Sequence, residues 1–341
     1  MNAQEILSEA RKTIGPYCKA CPVCNGRACG NQMPGPGAKG LGDTAIRNFE
    51  DWQKIRINMD TICVNRKIDT SARLFGRTFR MPVFAGPVGA VGLHYGDKYD
   101  DLSYNSILLE GCAEAGIAAF TGDGANEQVM IAATDAIKAS GGVGVPTVKP
   151  WSREEVRQKM EMVRYSGAFA AAMDIDAAGL PFLKNAEPPA GSKSVEELQE
   201  IIKEHEVPFI VKGIITIKGA LKAKEAGAAA IVVSNHGGRV LDQCPSTAEV
   251  LPEIVSALKG SGMKILVDGG IRSGATVFKA LAMGADGCLI ARPFVTAVYG
   301  GGKEGVIYYI DKLAGELEDT MAMCGAASIA EITQDMVRLP G

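Results

Sequence analysis

The chain has no long apolar run. A membrane-spanning helix needs about 18 or more consecutive apolar residues, and no stretch comes near that length. Its opening, "MNAQEILSEARKTIG", carries Glu5 and Glu9 where a secretory leader would be apolar, so a cytoplasmic protein is expected. A marked charge imbalance is missing too. The 36 Lys and Arg nearly balance 39 Asp and Glu, which leaves no electrostatic case for nucleic acid or an anionic membrane surface as partner. Histidine is scarce, with three in 341 residues. No Gly-x-Gly-x-x-Gly turn follows the first strand-like run, which argues against a doubly wound dinucleotide-binding sheet.

Glycine, by contrast, is abundant. The 41 glycines are about 12% of the chain against a usual ~7%. With no low-complexity tract to absorb them, they point to tight turns and close backbone approaches. From about residue 80, eight near-continuously apolar runs recur, at 81–90, 117–124, 142–150, 169–177, 207–215, 229–238, 264–272 and 286–294. Such runs suit strands covered on both faces. Helical patterns such as "SREEVRQKMEMVRYSG" and "SVEELQEIIKEHE" lie between them, the second opening on a Ser194/Glu197 capping box. Eight strand–helix repeats predict an α/β fold, a (β/α)8 TIM barrel over residues 46–341, with a closing helical segment at 304–333. Residues 1–45 break the rhythm and read as an N-terminal helix followed by an irregular Cys-rich extension.

In such a barrel the carboxyl ends of the strands face the active site. Those ends supply Asp174 and Asp176 from the fourth run, Lys212 from the fifth, and Ser234, His236 and Arg239 from the sixth. The seventh supplies Asp268, Gly270 and Arg272, and the eighth Arg292. "DGGIRSG" and "ARP" therefore put glycines and two arginines on the last two loops, the usual phosphate cradle of this fold. His236 is suited to act as a base near neutral pH. Asp176 would hold its imidazolium, and Arg239 would pair with an anionic substrate.

"VKGI", "SNHGGRVLD", "DGGIRSGATVFKALAMGA" and "LAGELEDTMAMCG" resemble the FMN-dependent α-hydroxy acid oxidases and dehydrogenases, the glycolate oxidase and lactate oxidase group. The resemblance is strong from about residue 205 onward and traceable over 45–176 through "RNFEDWQKIRI" and "MPVFAGPVG". It implies FMN as cofactor, a small 2-hydroxy acid as substrate and a homo-oligomer, a tetramer. It also implies roles. Lys212 would sit by flavin N1 and O2, His236 would take the substrate proton, Asp176 would orient it, and Arg239 would bind the substrate carboxylate. Pro87, Val88 and Gly89 would lie along the flavin, while Thr121 and Ser234 would hydrogen-bond to it. Asp268, Gly269, Gly270, Arg272, Ala291 and Arg292 would hold the ribityl chain and phosphate. Hydride transfer to flavin N5 and an initial carbanion both stay open, as does the electron acceptor.

Part of the family's substrate clamp is absent. The place of its first tyrosine falls near Met33, that of the second near Val148, and "DIDAAGLPFLK" holds no arginine. Asp174 stands where the family has a small hydroxyl residue, and the loop 177–193 is shorter than the family's lid. Losing a charge-assisted contact costs about 1.5–3 kcal/mol, so other groups must replace it. His94 and Lys149 are the candidates, although His94 reads equally as a surface residue; His205 reads as structural. The gaps keep two other readings open. One is an FMN barrel with non-redox chemistry, as in the type 2 isopentenyl diphosphate isomerases. The other is a flavin and metal electron carrier or redox sensor with a degenerate substrate pocket.

Cys18-x2-Cys21-x2-Cys24-x4-Cys29 packs four thiols into twelve residues. That set suits S4 coordination of a [4Fe–4S] cluster or Zn, and disulfides are disfavoured in a reducing compartment. Zn sites more often show two separated pairs, so the spacing leans toward iron–sulfur; a loop of reduced thiols is the third reading. A cluster just before the family's first tyrosine position would take electrons from reduced FMN. Cys63, Cys112, Cys244, Cys288 and Cys324 read as core residues.

Overall fold

The computed structural model describes residues 1–185, 187 and 190–340. Eight parallel strands close a barrel: β1 (Val83–Ala85), β2 (Ala118–Thr121), β3 (Gly144–Val148), β4 (Ala171–Asp174), β5 (Phe209–Ile214), β6 (Ala230–Val233), β7 (Lys264–Val267) and β8 (Gly287–Ile290). They follow one another around the ring, and β8 returns to β1 through Cys288 opposite Val83 and Leu289 opposite Phe84. Each expected run contains one strand. The runs overshoot because their glycine- and proline-rich ends have already left the ladder to build the loops at the barrel mouth.

Alternate side chains of the strands point inward. Phe84, Phe120, Val145, Ala172, Ile210, Val232, Leu266 and Leu289 fill the barrel as one buried cluster. The hairpin Ala72–Leu74/Arg77–Phe79 plugs the amino end, adding Leu74 and Phe79 to that cluster. The opposite end therefore stays open for chemistry.

Around the barrel lie α1 (Ala3–Thr13), α2 (Asp43–Lys54), α3 (Asp101–Glu114), α4 (Glu127–Ala139), α5 (Arg153–Ser166), α6 (Val195–Lys203), α7 (Ile217–Glu225), α8 (Thr247–Leu258), α9 (Gly274–Ala282) and α10 (Arg292–Met323). The Ser194/Glu197 capping box opens α6 as expected. The closing segment differs from expectation. Helix α10 begins at Arg292 directly after β8, bends at Gly302 and ends at Met323, leaving short 3-10 turns beyond. Among the described residues no helix is long and apolar enough to cross a membrane.

Residues 15–42 form turns and bends without helix or strand, yet they are bound to the barrel mouth rather than hanging from it. Ala38 is fully buried, the Lys39 amide donates to the Gly238 carbonyl at 2.8 Å, and Asp242 accepts from the amides of Leu41 and Thr44. Helix α2 runs across residue 45. Of the five cysteines expected in the core, Cys112, Cys244, Cys288 and Cys324 are buried, but Cys63 is exposed. Cys63 sits on the irregular segment 58–68, outside the packed elements.

Candidate active site

The carboxyl ends of the strands surround a cavity of about 390 Å³. Lys212, on β5, rises from its floor. The Lys212 ammonium donates to Ser234 Oγ at 3.1 Å and lies 3.5 Å from Asp268 Oδ2. Burial opposes its charge, but Asp268, Asp176 and Asp174 around it hold its pKa above the ordinary value. Strand β5 bulges just beyond, at Gly213, whose φ is 99°. A Cβ there would stand 2.4 Å from Asp176 Cγ, so the missing side chain makes the space into which Asp176 folds.

His236 does not lie on β6. The strand stops at Val233, and His236 opens a 3-10 turn, His236–Gly238, with its own φ at 55°. Its Nδ1 is 3.0 Å from Asp176 Oδ1, and its Nε2 is 4.0 Å from Asp174 Oδ2. Lys149 Nζ reaches that same Asp174 oxygen at 2.5 Å, and both residues are buried. Burial, followed by the charges of Lys212 and Lys149, pushes the imidazole well below its ordinary 6.5. A neutral ring beside Asp176 donates through Nδ1 and keeps its Nε2 lone pair. Burial also raises the Asp176 carboxyl, against the pull of Lys212 and Lys149.

Arg239 lines the cavity and donates to the carbonyls of Gly35 and Gly37, at 3.1 Å for the second. Burial lowers it to about 10, which leaves it charged at neutral pH. His94 is buried in the cavity wall rather than on the surface. Its Nδ1 accepts from the Gly35 amide at 3.0 Å, and burial with Arg239 and Lys149 nearby drives it down to about 3. The extension thus supplies backbone to both residues.

Pro87, Val88, Gly89, Asp268, Gly269, Gly270, Arg272, Ala291 and Arg292 all line this cavity. Thr121 and Ser234 are fully buried beside it. The site fits FMN on two observations. Thr121 Oγ1 and Asp268 Oδ1 are buried with no partner, and a polyhydroxy chain and flavin ring would satisfy such orphans. Arg272 and Arg292 stand beside the glycines of the last two loops, where a phosphate would meet cations and backbone amides.

Helix α2 explains "RNFEDWQ". Trp52 Nε1 donates to the Gly269 carbonyl at 2.8 Å, and Asn48 pairs its amide reciprocally with that of Asn235. A Cβ on Gly270 would lie 1.9 Å from the Asn48 carbonyl oxygen. Gly270→Ala must therefore push α2 off the loop that follows β7, at a cost of about 1–3 kcal/mol, and we expect a lower Tm with less flavin retained after gel filtration. Unchanged values for both would refute the contact.

One residue escaped the sequence reading. Asp123, in "TGDGAN" after β2, is buried and lines the cavity. Its Oδ1 accepts from Lys159 Nζ at 2.9 Å, and its Oδ2 accepts from Trp151 Nε1 at 2.7 Å and from the Lys149 amide at 3.0 Å. The signal was an acid between two glycines at a strand end.

Met33 and Val148 occupy the expected places of the missing tyrosines, Met33 partly buried and Val148 buried on β3. The short loop 177–193 includes Ala186, Pro188 and Pro189, which lie outside the described residues. Cys18, Cys21, Cys24 and Cys29 are half-buried and unpaired. Among the described residues, the metal-ligating side chains drawn into a tight group of three are Asp174, Asp176 and His236, within 4.8 Å. Among the described residues the cysteine sulfurs form no such group of three within 4.8 Å.

Residues 36–182 and 184–339 match the FMN-dependent dehydrogenase family. The chain belongs to that family. It is 33% identical to a peroxisomal (S)-2-hydroxy-acid oxidase of Oryza sativa subsp. japonica, over 87% of this chain and 88% of that protein. It is 48% identical to a peroxisomal (S)-2-hydroxyacid oxidase of Arabidopsis thaliana, where the similarity spans 43% of this chain and 39% of that protein's length. The fold is that of a mandelate oxidase solved with (S)-2-phenylpropionate, at a TM-score of 0.81 and 24% identity over 98% of this chain and 97% of that one. Family membership carries FMN with it.

Proposed function

We propose that the protein oxidises a small 2-hydroxy acid to the 2-keto acid, with His236 as the base. One observation carries this reading: an imidazole whose Nδ1 lies 3.0 Å from Asp176 Oδ1 stands at the wall of a cavity that fits FMN. FMN, when bound, supplies the acceptor for the two electrons. Asp268, Gly269, Gly270, Arg272, Ala291 and Arg292 would hold its ribityl phosphate, and Pro87, Val88 and Gly89 its ring. The Lys212 ammonium would offset negative charge gained by the reduced ring. Arg239 would bind the substrate carboxylate. Nε2 of His236 would take the hydroxyl proton, and Asp176 would stabilise the imidazolium. Lys149 and His94 line the cavity and would take over contacts of the missing arginine and tyrosines, and Leu93, Leu180 and Val129 give the cavity an apolar wall for a short side chain.

The same reading places the protein in a reducing cytoplasm, where nine unpaired thiols are stable. It keeps residues 1–45 as an extension on the barrel, the four cysteines as a metal site and the tetramer implied by resemblance. The related enzymes named as oxidases of 2-hydroxy acids support the substrate class.

Anaerobic titration with short 2-hydroxy acids should bleach the flavin, and an oxidised flavin spectrum left unchanged by the whole panel would refute the reading. The pH dependence follows from His236. The base works unprotonated, and its folded pKa lies below 6.5. The bleaching rate should therefore stay level as pH falls through 6.5 and drop only at more acidic pH. A decline centred at or above 6.5 would remove His236 as the base.

A further inference from the structure

We propose that Cys18, Cys21, Cys24 and Cys29 hold a [4Fe–4S] cluster that draws electrons singly from the flavin site and hands them to a one-electron carrier protein. This rests on the flavin site described above and adds its electron outlet.

Three observations converge. First, the Cys-rich segment reaches the cavity wall directly. Arg272, in the phosphate cradle, donates through Nε to the Cys24 carbonyl at 2.8 Å, and Arg239 donates to Gly35 and Gly37 a few residues further on. Second, the four thiols fall within twelve residues, are half-buried and unpaired, and form no group of three within 4.8 Å of one another among the described residues. A Zn ion would need all four sulfurs about 2.3 Å from one centre. The thiolates of a cubane stand apart at its separate corners, which does not require such a tight group, and the x2, x2 steps are those of a cluster-wrapping run. Third, this segment has no helix or strand of its own, yet it is ordered tightly enough to bury Ala20 at 1% exposure. Arg11 Nε anchors it by donating to the Ala20 carbonyl at 3.1 Å, and a metal bound there would close several short loops at once.

The outer side of the segment reaches solvent. Val23, between the second and third cysteines, is 53% exposed, so a docked carrier would come within a few residues of the cluster. Oxidation of one 2-hydroxy acid to its keto acid releases two electrons and two protons. The cluster, cycling twice between its oxidised and one-electron-reduced states, would pass those electrons to two carrier molecules, and the protons would leave through His236 to solvent.

The test uses the full-length protein purified without oxygen. About four irons per chain are expected, with matching sulfide, visible absorbance beyond the flavin bands and an electron paramagnetic resonance signal after dithionite reduction. Hydroxy acid should reduce two cytochrome c molecules per substrate. Cys21→Ser and Cys24→Ser should each slow cytochrome c reduction by more than about tenfold, and Cys63→Ser should not. Zinc without iron, no metal at all, or unchanged cytochrome c reduction in both ligand variants overturns the proposal. The metal content and resonance of the wild-type protein decide the matter even where a variant misfolds. Flavin bleaching without iron would sink the cluster alone, whereas iron without bleaching by any hydroxy acid would sink the flavin reading beneath it.

Discussion

His236→Ala will keep its FMN and lose hydroxy-acid-driven flavin reduction by about 10²–10⁴-fold, the range general-base catalysis supplies. The cofactor should survive because His236 contributes nothing to the phosphate end, where Arg272, Arg292 and the Gly269–Gly270 turn line the cavity. The rate should fall because the nearest other groups cannot serve. Asp174 is already paired with Lys149 at 2.5 Å, and Lys212 is held protonated by Asp268, Asp176 and Asp174. Asp176→Asn should give a smaller loss, since the 3.0 Å contact would persist while the charge that supports the imidazolium is gone. Stopped-flow bleaching at saturating substrate measures both variants. Equal rates for His236→Ala and wild type would make the carrier reading the better one, because an electron carrier has no use for a base.

The sequence pattern revealed the barrel because its strands are covered on both faces and so read as unbroken apolar runs separated by helical periods. It pointed to His236, Arg239, Lys212, Arg272 and Arg292, which all line the cavity, because the fold sends every strand's carboxyl end to one mouth. What stayed hidden depends on contacts distant in sequence. Nothing in "GLHYG" announces that His94 will be buried against the Gly35 amide, 59 residues away. The left-handed backbone at His236 is equally silent, since such a φ is rare for a residue with a side chain. The extension looked like an appendage because it lacks periodicity. Its attachment runs through side chain to backbone bonds, such as those of Arg239 and Asp242, which leave no pattern in a sequence.

Asp123 carries the largest expected effect on stability. Asp123→Ala would leave the Lys159 ammonium, 4% exposed, without its partner at 2.9 Å. Breaking a buried pair from one side costs about 3–5 kcal/mol. Glu155, 3.8 Å from the same ammonium, would recover part of that, so the lower end is expected in urea denaturation. The Lys149 amide and the Trp151 indole would lose their acceptor as well, which loosens the loop that aims Lys149 at Asp174. The KM for hydroxy acid should then rise in the folded fraction, although Asp123 is not assigned to the chemistry. Adding Lys159→Met removes the stranded charge, and the double variant should regain most of the lost stability without regaining the KM, because the loop still lacks its carboxylate. Recovery of both would mean that Asp123 serves only to neutralise Lys159. Recovery of neither would assign the loss to the hydrogen bonds of Lys149 and Trp151.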